Sequence, residues 1–149
     1  MTEVSFYHLQ RQPLSQALPK LLERALAAGH RAVVMAGSQE RVEALDATLW
    51  VYDPDSFLPH GTARVGFSAE QPIYLTTEDE NPNQASLLVL IDGMEPADIS
   101  AYARCLDLFD GNNQFAVDAA RLRWKKYKDA GHQVTYWQQK PGGGWEKKG

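Results

Sequence analysis

The sequence predicts an α/β fold: three layers, a mostly parallel central sheet, and helices on both faces. Three observations lead there. The chain opens with strand, helix, strand and helix patterns in succession, the signature of parallel strands joined by crossover helices. Residues 31–36 are apolar almost without interruption, as expected of a strand buried on both faces. The composition, 149 residues with 44% hydrophobic and 23% charged, is that of an ordinary globular domain long enough to bury a core.

Taken in order, residues 4–9 form a β-rich run, and residues 14–28 place Leu18, Leu21, Leu22, Ala25 and Leu26 on one helical face. Pro19 fits that helix only in its first turn, and Gly29 closes it. Ser38 is an N-cap for a second helix, from Gln39 to about Trp50, with Val42, Leu45 and Leu49 facing inward. Further strands are expected at residues 72–77, 87–91, 105–109 and 133–137, with a short helix over 96–103. A long last helix spans Gln114 to about Gly131. Its expected docking stripe is Phe115, Ala119 and Leu122, with Ala116, Ala120 and Tyr127 on the adjoining sector. The organisation expected is a single domain over residues 1–139 and a flexible tail over 140–149.

Composition also excludes classes. The longest apolar run, residues 87–91, falls far short of the ~20 residues that span a bilayer. No signal peptide is visible. Cys105 is the single cysteine, so no internal disulfide forms and a cytoplasmic location is expected. Net charge is −4 but unevenly divided: residues 1–110 carry −9 and residues 111–149 carry +5. An acidic body disfavours capture of duplex DNA, whereas a basic C-terminal quarter attracts an acidic partner.

No catalytic motif is found. The first strand leads into Gln10-Arg11-Gln12-Pro13, with neither Gly-rich phosphate-binding pattern. Gly37 reads as a tight turn before a capped helix, and the glycines at 142–144 do not open a helix. The four histidines, His8, His30, His60 and His132, lie in four separate segments without zinc spacing, and Cys105 reads as a small buried hydrophobe. None of the serines sits in a nucleophile elbow. No cofactor or metal is expected, and a binding module is the class favoured.

Two surfaces are candidates. On the last helix Arg121, Lys125 and Lys128 form one row flanked by Val117 and Trp124, suited to an acidic peptide with a hydrophobic end or to a nucleic-acid strand. A solvated basic face is the plainer reading. The other surface is the stretch 49–61, where Trp50, Tyr52 and Phe57 surround a Pro-containing loop. They are either core filling or an anchor for another protein.

Several landmarks occur together: Phe6-Tyr7-His8-Leu9, Ala27-Ala28-Gly29-His30-Arg31, Leu49-Trp50 with Ser56-Phe57-Leu58-Pro59-His60, and Leu90-Ile91-Asp92-Gly93. The strongest is Ala120-Arg121-x-Arg123-Trp124-Lys125-x-Tyr127-x-x-Ala130-Gly131. In this order and spacing the chain resembles the chi subunit family of bacterial DNA polymerase III over nearly its whole length. The resemblance implies a non-catalytic accessory of the clamp-loader complex, bound to the acidic C-terminal tail of single-stranded DNA-binding protein and meeting DNA only indirectly. It assigns the tail site to Arg121, Trp124 and Lys125, with Val117 standing where some relatives carry a cation and Lys128 as a further cation. It assigns contact with the psi subunit, or another clamp-loader subunit, to Trp50 and Phe57. Two other readings remain: a small nucleotide-dependent enzyme on the same sheet, and direct binding of single-stranded DNA.

Overall fold

The computed structural model describes residues 2–10, 13–52, 59–62, 68–140 and 144–148. In chain order the elements are β1 (Glu3–Leu9), α1 (Leu14–Ala27), β2 (Ala32–Met35), α2 (Gln39–Val51), β3 (Gly61–Thr62), a 3-10 turn (Ser68–Glu70), β4 (Ile73–Thr76), β5 (Leu87–Leu90), β6 (Arg104–Asp110), α3 (Gln114–Asp129), β7 (Gln133–Gln139) and β8 (Trp145–Lys147). The strands form one sheet in the order β3-β4-β2-β5-β6-β1-β7-β8. Every pairing is parallel except that of β7 with β8. The predicted fold class is the observed one.

Alternation along the strands divides the core in two. Val34, Leu75, Val89, Leu106 and Leu108 face α1 and α2. Val4, Phe6, Leu88, Cys105 and Phe109 face α3 and the segment around Ile99 and Tyr102. The middle strands β2, β4 and β5 are buried at every position, which explains their unbroken apolar sequences. Cys105, on β6, is fully buried on the α3 face of the sheet, and desolvation pushes its thiol well above the usual range. It should resist a colourimetric thiol reagent in the native state and react stoichiometrically once the chain unfolds in denaturant. Rapid native labelling would contradict this burial.

Four expectations need correction. No helix forms at 96–103. There the Thr2 hydroxyl binds the Ile99 and Tyr102 carbonyls at 3.0 and 2.8 Å, and Asp98 takes the Ser100 amide at 2.8 Å. These bonds consume the groups a helix needs. Pro19 lies in the second turn of α1 rather than the first, offset by burial of Ala17, Leu18, Leu21 and Leu22 around it. Within the stretch expected to be a flexible tail, residues 145–147 are a strand hydrogen-bonded to β7. Trp145 explains this, because its ring packs edge-on against Tyr7 at 4.9 Å.

The fourth correction concerns α3. Its buried residues are Val117, Ala120, Arg123 and Tyr127, whereas Phe115 and Leu122 are 88% and 73% exposed. The helix is rolled away from Phe115, Ala119 and Leu122, while Ala120 and Tyr127 of the adjoining sector are buried as expected. Positions 117, 120, 124 and 127 carry larger apolar side chains onto the sheet than 115, 119 and 122 would, and the roll also lets Arg123 reach Asp107 on β6. Asn113 caps the first turn by accepting from Ala116 N–H at 3.2 Å. Gly131, at φ +92°, ends the helix, and the His132 amide returns to the Tyr127 carbonyl at 3.1 Å.

Candidate partner-binding surfaces

The cations of α3 fall into two groups. Arg123 is buried and holds Asp107 through two bonds, Nε to Oδ2 at 2.7 Å and Nη2 to Oδ1 at 3.0 Å. Burial pushes the Asp107 carboxyl up, and the guanidinium opposes that push. Lys126 binds Glu95 at 2.9 Å. By contrast Arg121, Lys125 and Lys128 are exposed, and among the described residues none has an acidic partner within ion-pair distance. The predicted row is thus exposed, with its charges not neutralised by any acid among the described residues.

Its surroundings are apolar and aromatic. Trp124 is half-buried, with the Lys128 Nζ 4.6 Å from the centre of its ring. The Trp124 Nε1 is buried, with no hydrogen-bond partner among the described residues. Val117 is only 7% exposed, so it forms the floor beneath Arg121 and Trp124 rather than an outward contact. His8 on β1 and Tyr136 on β7 join by a side-chain hydrogen bond. Burial holds the His8 imidazole below its usual value, and the charge of Arg121 adds to this. Burial pushes the Tyr136 phenol above its usual value, and the charge of Arg121 opposes that push. Neither His8 nor Tyr136 was anticipated as part of this surface. The register that aligns Phe6 with Tyr136 is a tertiary fact with no local sequence signal.

The aromatic surface lies at the other end of the sheet. Trp50, in the last turn of α2, is 56% exposed and leans on the His60 ring at 4.9 Å. The buried His60 side chain meets Asp46 at 3.0 Å. Tyr52 is bound to Glu23 and packs at the margin of the core, so it belongs to the core-filling reading. Phe57 lies outside the described residues. Since α2 packs near β3 and β4, and α3 on the opposite face over β6, β1 and β7, the two surfaces occupy opposite faces and opposite ends. Five strand spacings separate β3 from β1, about 24 Å at ~4.8 Å each.

A crevice of about 780 Å³ opens at the C-terminal ends of β1 and β6. It lies where the following helices depart to opposite faces, the usual ligand position in such sheets. Its charged side chains, Arg41, Arg123, Asp92 and Asp110, cancel. The Gly37 amide is taken by Asp92 at 3.1 Å, and the Ser38 hydroxyl caps Arg41 N–H at 3.1 Å. The turn after β2 thus commits the Gly37 and Arg41 amides internally, as a tight turn before a capped helix does. No cluster of three or more His, Cys, Asp or Glu positioned for a metal occurs among the described residues. None of their helices is long and apolar enough to cross a membrane.

Fold and surfaces together define a class: an α/β protein with a mostly parallel sheet, an exposed basic helix on one face and a switch-point crevice of balanced charge. Residues 1–135 match the family model described as DNA polymerase III chi subunit, HolC. The chain belongs to this family of DNA replication subunits. It is 35% identical over 100 residues to a protein of Rickettsia prowazekii named probable DNA polymerase III subunit chi, covering 67% of this chain and 59% of that relative. The match thus covers less than two thirds of the relative's own length. It is also 25% identical over 135 residues to DNA polymerase III subunit chi of Pseudomonas aeruginosa, covering 89% of this chain and 93% of that one.

Proposed function

We propose that this protein is a non-catalytic, cytoplasmic accessory of the clamp loader that binds the acidic C-terminal tail of single-stranded DNA-binding protein on α3. The observation that carries this reading is the row of exposed cations, Arg121, Lys125 and Lys128, without an ion-pair partner among the described residues, beside the half-buried Trp124. Arg121 supplies a planar fork for the terminal carboxylate. Trp124, over Val117, offers an apolar shoulder for the tail's terminal ring, and its unpartnered Nε1 is a further donor. Lys125 and Lys128 add longer-range attraction, which salt screens.

Calorimetric titration with a peptide of the acidic tail tests the assignment. Saturable binding that weakens with added salt is expected, and absence of binding at low salt overturns it. The same titration with a single-stranded oligonucleotide separates direct DNA binding, with Trp124 stacked on a base. The proposal requires that oligonucleotide alone bind more weakly than peptide.

The Trp50 surface takes the second partner, a psi subunit or another clamp-loader subunit. The buried His60 side chain, held by Asp46, supports the Trp50 ring, and Phe57 is assigned to the same contact. Trp50→Ala and Phe57→Ala should each reduce recovery of clamp-loader subunits in a pull-down while leaving tail-peptide affinity unchanged. Undiminished recovery with both variants removes this half of the proposal. Placement on opposite faces lets both partners bind together, so DNA is engaged through one partner while the other leads to the polymerase.

A further inference from the structure

Along its side of the sheet α3 is the only helix among the described elements, and its outer face forms a crest. That crest carries Phe115, Ala119 and Leu122, two turns of apolar surface. A Phe 88% exposed and a Leu 73% exposed on one helical line are more than isolated surface hydrophobes. The charges beside this line make it self-complementary. Asp118 lies seven residues before Lys125, both are exposed, and neither has an ion-pair partner among the described residues. The Asp118 carboxylate accepts only from Gln114 Nε2, at 2.8 Å.

We infer that the crest is an interface with a second copy of this chain, formed by antiparallel packing of two α3 helices about a two-fold axis near Leu122. In an isologous pair each contact occurs twice. With the axis at Leu122, Asp118 stands four residues before it and Lys125 three residues after it. Helices running in opposite directions then bring Asp118 of each copy to the height of the other's Lys125, offset by one ~1.5 Å rise. Both lie on the same flank of the contact line, so two ion pairs bracket a Leu122–Leu122 centre. Phe115 of each copy reaches toward the last turn of the other helix. A contact confined to one helix pair falls below the ~1,200–2,000 Å² of stable interfaces, so the dimer is weak and concentration-dependent.

Sedimentation velocity on the full chain, from micromolar to near-millimolar concentration, reads this directly. The weight-average mass should rise toward twice the monomer value. Leu122→Glu, a change at an exposed position, should hold the chain monomeric throughout. Asp118→Lys should weaken dimerisation by roughly three- to tenfold by opposing lysines, and Lys125→Asp should do the same by opposing aspartates. The double variant carrying both changes restores the pairing with signs reversed and should recover the wild-type mass curve. A wild-type mass that stays monomeric overturns the inference, as does a dimer indifferent to Leu122→Glu or a double variant without recovery. Lys125 also belongs to the tail site, but no peptide is present in this measurement, so its result stands apart from that reading.

Discussion

Replacing Arg123 by Ala should lower the unfolding free energy by about 3–5 kcal/mol, read as a shifted midpoint in chemical denaturation. Asp107 is 1% exposed and Arg123 4% exposed, so removing the cation leaves a carboxylate with neither water nor a partner. The size of the loss reflects that stranded group rather than the net worth of the pair. Accordingly, Arg123→Met combined with Asp107→Leu should recover most of the stability. The deficit should also depend on pH. In Arg123→Ala the Asp107 carboxyl keeps the upward push of burial and loses the opposing guanidinium. Its folded value then lies above the unfolded value of about 3.9. Such a group favours the folded state below its unfolded value, and that contribution is lost as pH rises through the folded one. The deficit is therefore smaller near pH ~4 than near pH ~7. A pH-independent loss below ~1 kcal/mol would contradict the buried-pair account.

Arg121→Ala should weaken binding of the tail peptide by about 1.5–3 kcal/mol, roughly 10- to 150-fold, without shifting the denaturation midpoint. Arg121 is exposed and outside every ion pair of the described residues, so its removal leaves the fold intact. Arg121→Lys keeps the charge and loses the fork, and should recover only part of the affinity. Lys128→Ala should act mostly on the association rate and on its salt dependence. Unchanged peptide affinity in Arg121→Ala would remove α3 as the tail site.

The parallel sheet was legible because its central strands must be apolar on both sides, and no competing pattern explains residues 31–36 or 87–91. The cationic row was legible because three like charges at helical spacing stay on one side whichever way the helix rolls. The roll itself was misjudged. Counting apolar residues favoured Phe115 and Leu122, whereas volume favoured Val117 and Trp124; Ala120 and Tyr127, expected on the adjoining sector, are buried. The burial of Arg123 was not foreseen either. A buried acid in an apolar strand, Asp107 between Leu106 and Leu108, was the available clue that a cation would turn inward. Residues 96–103 failed as a helix for a nonlocal reason, since Thr2, about a hundred positions away, holds their carbonyls. Trp145 was missed because everything from residue 140 on was read as a tail, whereas residues 145–147 pair with β7.

The place of β1 inside the sheet has a consequence for how the chain reaches this state. Its neighbours are β6 and β7, with Val4 aligned to Cys105 and Val134. β1 is therefore paired only with segments that lie about a hundred residues or more downstream of it. Meanwhile β2, β4 and β5 can assemble from residues 32–90, together with α2. Closing the remaining loop, of about a hundred residues or more, comes last and is slow for entropic reasons. Until then β1 and the unpaired edge of β5 stay open to other chains, and α3 has only part of its floor. The tail-binding surface thus matures late, coupled to the step that completes the sheet.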